Sequence, residues 1–156
     1  MVLRRLKRIP DADKNAIIEE LKAMVHSREE IIFALLYGSI ADPMGPEMYG
    51  DIDLAIYVRA EFLDTPEYIL ESKIEAEAYR RLSRQELGIL PIEVLVINKA
   101  PYPFLVRLFR GKYIVIKEDE ETLTDFIEEV GVRSMANSHL RFESLQELLE
   151  DHGSIG

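Results

Sequence analysis

Leu36-Tyr37-Gly38-Ser39 and, after a loop, Gly50-Asp51-Ile52-Asp53-Leu54-Ala55-Ile56-Tyr57-Val58 are the stretches on which the fold turns. The first closes a continuously apolar run from Ile31 to Tyr37, which fits a strand buried on both faces and stopped by Gly38. The second starts by alternating, with Asp51 and Asp53 against Ile52 and Leu54, and then turns wholly apolar, so it reads as a strand with a polar beginning. The end of the first strand and the start of the second should lie side by side. Residues two apart on a strand share a face, which brings the Asp51 and Asp53 side chains together with Cβ atoms roughly 6–7 Å apart.

Two carboxylates at about 6 Å repel by roughly 3 kcal/mol at an effective dielectric near 20, unless a proton or a cation joins them. Mg²⁺ is the natural cation, with Mn²⁺ as the alternative. It takes oxygen ligands and usually binds through one or two carboxylates together with substrate phosphates, so the pair implies a nucleotide as well as a metal. Gly38 lets phosphate oxygens approach the backbone, and the Ser39 hydroxyl and following amides can donate to them. Glu93, flanked by Ile92 and Val94 in another apolar run, is the third candidate ligand. A strand-edge charge facing solvent is nearly as good an account of Glu93 alone. Acidic residues two apart also occur at Asp11 and Asp13, Glu75 and Glu77, and Glu118 and Glu120, where they read as solvated helix positions or caps. Asp51 and Asp53 differ in preceding a buried strand whose neighbour ends in Gly-Ser. His26, His139 and His152 have no acidic or histidine neighbours at ligand spacing and read as surface residues or as complements to helix dipoles.

Outward from this centre, Asp11 is a plausible N-cap for a helix carrying Ile17, Ile18, Leu21, Met24 and Val25 on one face. Residues 41–50 form a Gly- and Pro-containing loop. Thr65-Pro66-Glu67 opens a helix that Gly88 closes, with Ile69, Ala76, Tyr79 and Leu82 towards the core. Pro91 to Ile97 reads as a third strand and Lys112 to Lys117 as a fourth, with a short helix around Phe104 to Arg110 between them. That basic and aromatic stretch can meet a base or phosphate, although packing on the sheet explains Phe104, Leu105 and Leu108 better. From Glu118 the chain is helical, with Leu123, Phe126, Ile127 and Val130 on one face and a break or bend at Gly131. A last amphipathic segment carries Met135, Phe142, Leu145 and Leu149, able to pack on its own domain, on a partner or on another copy as a homo-oligomer. The expectation is an α/β (α+β) fold: a small mixed sheet of about four strands with helices packed on it. The whole chain, residues 1–156, forms one domain, with residues 119–150 as a C-terminal helical extension.

At 156 residues, 47% hydrophobic and 31% charged, the chain is large enough for one buried core. Its net charge of −10 excludes broad affinity for nucleic acid or an anionic membrane. The absence of cysteine removes disulfides and thiolate metal sites, and no segment has the length of a membrane span, so a cytoplasmic location is expected.

Gly38, Ser39, Asp51, Asp53 and Glu93 together resemble the signature of the polymerase-β-like nucleotidyltransferases: Gly-Ser, a loop of about ten residues, Asp-x-Asp, then an acidic residue on another strand. The likeness runs roughly from the first helix to Val130 and is greatest to the minimal, MNT-type members, which include antitoxins paired with HEPN-domain toxins. It implies Mg²⁺-dependent NMP transfer from ATP or another NTP. In it Asp51 and Asp53 hold two metal ions and Glu93 assists an attacking hydroxyl, which in the antitoxins is a tyrosine of the HEPN partner. Two other functions fit the same resemblance: an inactive relative that masks a HEPN partner by contact, or a small-molecule nucleotidyltransferase. The sequence departs from the family pattern at three places. Ile40, Ala41, Asp42 and Pro43 follow Gly-Ser where an Arg is common, Gly50 stands for a Ser, and Glu93 stands for an Asp.

Overall fold

Two apolar heptapeptides that lack a polar face, β2 (Ile31–Tyr37) and β4 (Ile52–Val58), form the centre of the sheet. The computed structural model describes residues 7–42, 48–88, 90–119 and 121–136. In chain order these are β1 (Lys7–Arg8), α1 (Asp11–His26), β2, a 3₁₀ turn (Gly38–Ala41), β3 (Met48–Tyr49), β4, a second 3₁₀ turn (Ala60–Leu63), α2 (Glu67–Arg84), β5 (Ile92–Val96), α3 (Tyr102–Arg110) and β6 (Tyr113–Lys117). A last helix, α4, spans residues 122–136 within the described chain. The main sheet has the order β5-β4-β2-β6. β2 runs antiparallel to both of its neighbours, while β5 runs parallel to β4, which makes the sheet mixed as expected.

One face is covered by α1 and α2, whose Ile17, Leu21, Met24, Ile74, Ala78 and Leu82 pack on Leu36, Leu54, Ile56 and Val94. The other face carries Phe33, Leu35, Ala55 and Ile97 under Leu105 and Leu108 of α3 and Leu123, Phe126 and Val130 of α4. Phe126 lies 5.0 Å from the Tyr57 ring and 5.8 Å from that of Phe109, so α4 is held by aromatic as well as aliphatic burial. Burying each large side chain contributes about 1.5–3 kcal/mol, so two apolar layers account for a stable fold without any buried polar side chain among the described residues. No described helix is long and apolar enough to cross a membrane.

Several expectations are corrected. Pro10 occupies the α1 cap position and Asp11 is already helical, with no side-chain cap hydrogen bond. Asp11 and Asp13 instead sit in the first turn, where the helix dipole favours negative charge. Residues 41–50 are not all loop, because β3 pairs with β1 in a two-stranded ribbon. In α2 the inward row is Ile74, Ala78 and Leu82, whereas Ala76 is exposed and Ile69 and Tyr79 are 37% and 60% exposed. The rotation of α2 has a local cause: the Glu75 carboxylate accepts from Val94 N–H at 2.9 Å and Glu71 from Val96 N–H at 2.8 Å. These two acids turn towards the free edge of β5 and set the remaining faces. α4 begins at residue 122 rather than at Glu118 and runs through Gly131 without a break. A glycine there costs about 1 kcal/mol, less than the burial of Phe126 and Val130 contributes. Met135 is 76% exposed. Phe142, Leu145 and Leu149, with most of the expected 119–150 extension, lie outside the described residues.

Candidate active site

Asp53 lies between two strand neighbours, with Tyr37 of β2 opposite it on one side and Glu93 of β5 on the other. Tyr113 of β6 is opposite Tyr37, so one row across the sheet reads Tyr113, Tyr37, Asp53, Glu93. Asp51, two residues before Asp53, joins the acidic end of the row. One carboxylate oxygen from each of Asp51, Asp53 and Glu93 lies within 4.8 Å of the other two. The aspartates are half-buried and Glu93 is exposed. Ligands across a Mg²⁺ octahedron are separated by roughly 4.2 Å, so small side-chain rotations bring these oxygens onto one divalent ion. The group therefore fits a divalent cation, and the chemistry of its donor set, oxygen only, suits a hard one.

Gly38 is part of the same geometry. Its φ is +74°, a conformation that L side chains rarely adopt, and a Cβ there would stand 2.5 Å from Asp53 Oδ2. Glycine thus allows the turn out of β2 and lets the Asp53 carboxylate lie against the backbone. Ile40 and Ala41 are buried and pin the 3₁₀ turn, which leaves Gly38 exposed and Ser39 half-buried beside the acidic group. All five residues singled out in the sequence, Gly38, Ser39, Asp51, Asp53 and Glu93, lie in or next to the ends of β2, β4 and β5, at one end of the sheet.

Two contributions were less apparent in the sequence. Tyr37 stands in the row and meets Phe104 edge-to-face at 5.8 Å. Its hydroxyl holds its proton well above the usual tyrosine range, because burial and then the charges of Asp53, Glu93 and Asp51 oppose ionisation. The other contribution is a groove of about 490 Å³ beside Gly38, lined among others by Phe104, Arg107 and Lys112. Leu105 and Leu108 are buried as expected, yet the same helix carries Arg107 to the site. The signal was present in the basic stretch around Arg107, Arg110 and Lys112, but only the adjacency of β6 to β2 gives it a place.

Comparison with known proteins agrees with this geometry. A chain from the tri-AMPylated Shewanella oneidensis HEPN toxin in complex with MNT antitoxin is similar in fold, at TM-score 0.55 and 14% identity over 89% of this chain and 98% of that one. A chain from a toxin–antitoxin crystal structure with AMP-PNP gives TM-score 0.58 and 13% identity over 87% and 98% of the two chains. No curated protein matches the sequence significantly. The family model described as polymerase beta, nucleotidyltransferase matches residues 19–121, a stretch that contains β2, the Gly38 turn and all three carboxylates. On that match, the chain belongs to the polymerase β nucleotidyltransferase family.

Proposed function

We propose that the chain is a Mg²⁺-dependent nucleotidyltransferase that moves AMP from ATP to a hydroxyl group of a HEPN-type protein partner. The observation that carries this reading is the gathering of Asp51, Asp53 and Glu93 within 4.8 Å beside the exposed backbone of Gly38. The acceptor class is supported by the similar folds in toxin–antitoxin complexes, one of which holds an AMPylated toxin. A reducing, cytoplasmic setting and a single catalytic domain with a C-terminal helical extension belong to the same proposal.

Asp51 and Asp53 would hold the divalent cations, two by the family resemblance, and Gly38 and Ser39 offer backbone amides and a hydroxyl to the phosphates. Bound there, a divalent ion would supply Lewis acidity and would compensate the charge of the triphosphate. Glu93, the most exposed of the three acids, accepts the proton of the attacking hydroxyl. The new oxygen–phosphorus bond forms at the α-phosphorus, the bond between it and the α–β bridging oxygen breaks, and pyrophosphate leaves. Tyr37 stays neutral and walls the site on the β2 side.

The test is transfer of label from α-labelled ATP in Mg²⁺ to a HEPN-domain protein. Asp51→Asn and Asp53→Asn should each lose about 10²-fold or more of the rate, the scale on which removal of one electrostatic stabiliser acts. Glu93→Gln should bind ATP with Mg²⁺ but transfer poorly. Wild-type transfer by Asp53→Asn would overturn the mechanism, and a tight but unlabelled complex would favour masking by contact.

A further inference from the structure

The chain carries a net charge of −10, yet the outward face of α2 is basic and aromatic. Tyr68, Ile69, Lys73, Tyr79, Arg80 and Arg84 are exposed there, whereas all four acids of the helix are half-buried. Glu71 and Glu75 accept from β5, Glu77 pairs with Arg28 and Arg81, and Glu67 sits in the first turn. Structural bonds thus take up negative charge of α2 and leave its positive charge on the surface. Lys73, Arg80 and Arg84 form no ion pair within the described residues. We propose that this face docks an acidic surface of a protein acceptor and so brings the acceptor hydroxyl to Glu93. The proposal rests on the nucleotidyltransferase reading and names the surface through which that site recognises a protein.

The face is continuous with the acidic end of the sheet. Glu71 meets Val96 and Glu75 meets Val94, so successive turns of α2 pass β5 in the reverse direction. Tyr79, four residues beyond Glu75, stands one turn nearer the start of β5, where Glu93 is exposed. Arg80 and Arg84 lie in the same half of the helix, in the wall of a groove of about 530 Å³ that Glu20 of α1 also lines. Arg81 in that wall is already paired with Glu20 and Glu77, so Arg80 and Arg84 are the cations left for a partner's carboxylates. From Tyr68 to Arg84 the stripe runs about 24 Å along the axis, longer than a small acceptor spans. Tyrosine and arginine are the residues that interface centres favour, because they offer large apolar area and forked donors for little lost freedom. An acidic partner is repelled by most of this chain and attracted here, which selects its orientation as well as its position.

The test gives the full chain two acceptors with α-labelled ATP in Mg²⁺: the HEPN-domain protein of the transfer assay, and N-acetyltyrosine amide, which presents a hydroxyl without a surface. Arg80→Glu with Arg84→Glu should raise the KM for the protein about tenfold or more and leave transfer to the amide unchanged. Tyr79→Ala should act in the same way. Arg80→Lys with Arg84→Lys should keep most of the wild-type behaviour, which separates charge from misfolding. Added salt should raise the wild-type KM for the protein but not for the amide. Calorimetric titration of the HEPN-domain protein into the chain without ATP should rank the variants in the same order. An unchanged KM in the reversed variant overturns the proposal, and so does an equal loss with both acceptors. Loss of a homodimer in gel filtration, or of binding to a short single-stranded RNA, with the KM for the protein intact, gives the face to another occupant and also overturns it. Transfer that needs Asp53 but ignores the reversal removes the docking face and leaves the transferase. A calorimetric affinity that needs Arg80 and Arg84, in a chain that labels neither acceptor, does the reverse.

Discussion

An alanine at Gly38 would meet two obstacles at once, a φ of +74° and a carboxylate oxygen of Asp53 standing 2.5 Å from the new Cβ. The backbone term alone costs about 1–2 kcal/mol, and the contact is relieved only if Asp53 or the turn moves. Gly38→Ala should therefore lower stability by about that amount in thermal denaturation and cut nucleotide transfer as deeply as Asp53→Asn. Normal transfer by this variant would mean that close packing of Asp53 on the turn is dispensable. Asp51 and Asp53 were legible because a period of two puts them on one face, and Glu93 because a carboxylate is out of place between Ile92 and Val94. Tyr37, Arg107 and Lys112 were not, since their relation to the acidic group depends on which strand lies beside which. A strand pattern states which face a residue takes but not its lateral neighbour.

β5 is an edge strand whose outward N–H groups at Val94 and Val96 are taken by Glu75 and Glu71 of α2. The bond at Val94 fixes the residue next to Glu93, so Glu75 positions a member of the acidic group without touching it. Glu75→Ala should cost about 1–2 kcal/mol, the range for a hydrogen bond to a charged acceptor that is partly solvated. Amide hydrogen exchange at Val94 should accelerate, and Glu75→Gln, which keeps an acceptor, should fall between. Unchanged exchange at Val94 would show that pairing with β4 alone holds the strand. The long elements were readable because apolar runs and helical spacing repeat over several residues, whereas the β1–β3 ribbon has two residues per strand and no period to detect. The rotation of α2 was misread for a related reason: two hydrogen-bonding acids outweigh the apolar residues at Ile69 and Tyr79, and a hydrophobicity pattern does not register them.

At the scale of the molecule, the acidic balance and the acidic site bear on each other. Ligand at a hundred times its dissociation constant stabilises a fold by about 2.7 kcal/mol, roughly 5–10 °C for a domain of this size. Mg²⁺ or Mn²⁺ with ATP at such concentrations should raise the melting temperature by that amount in wild type and by little in Asp51→Asn or Asp53→Asn. Absence of any rise with either metal and any NTP would count against a nucleotide site here. The mixed four-stranded class was legible from the order of elements, but the lateral order β5-β4-β2-β6 was not, because no local signal encodes it. That order leaves β5 at a border of the sheet, and its segment Ile92 to Ile97 is apolar and largely β-branched with Glu93 as its one charge. Such a hexapeptide with free donors is the kind of template on which stray chains stack into fibrils. Glu71 and Glu75 occupy those donors from within the same molecule, so the helix that steadies the strand also keeps it from recruiting copies of itself.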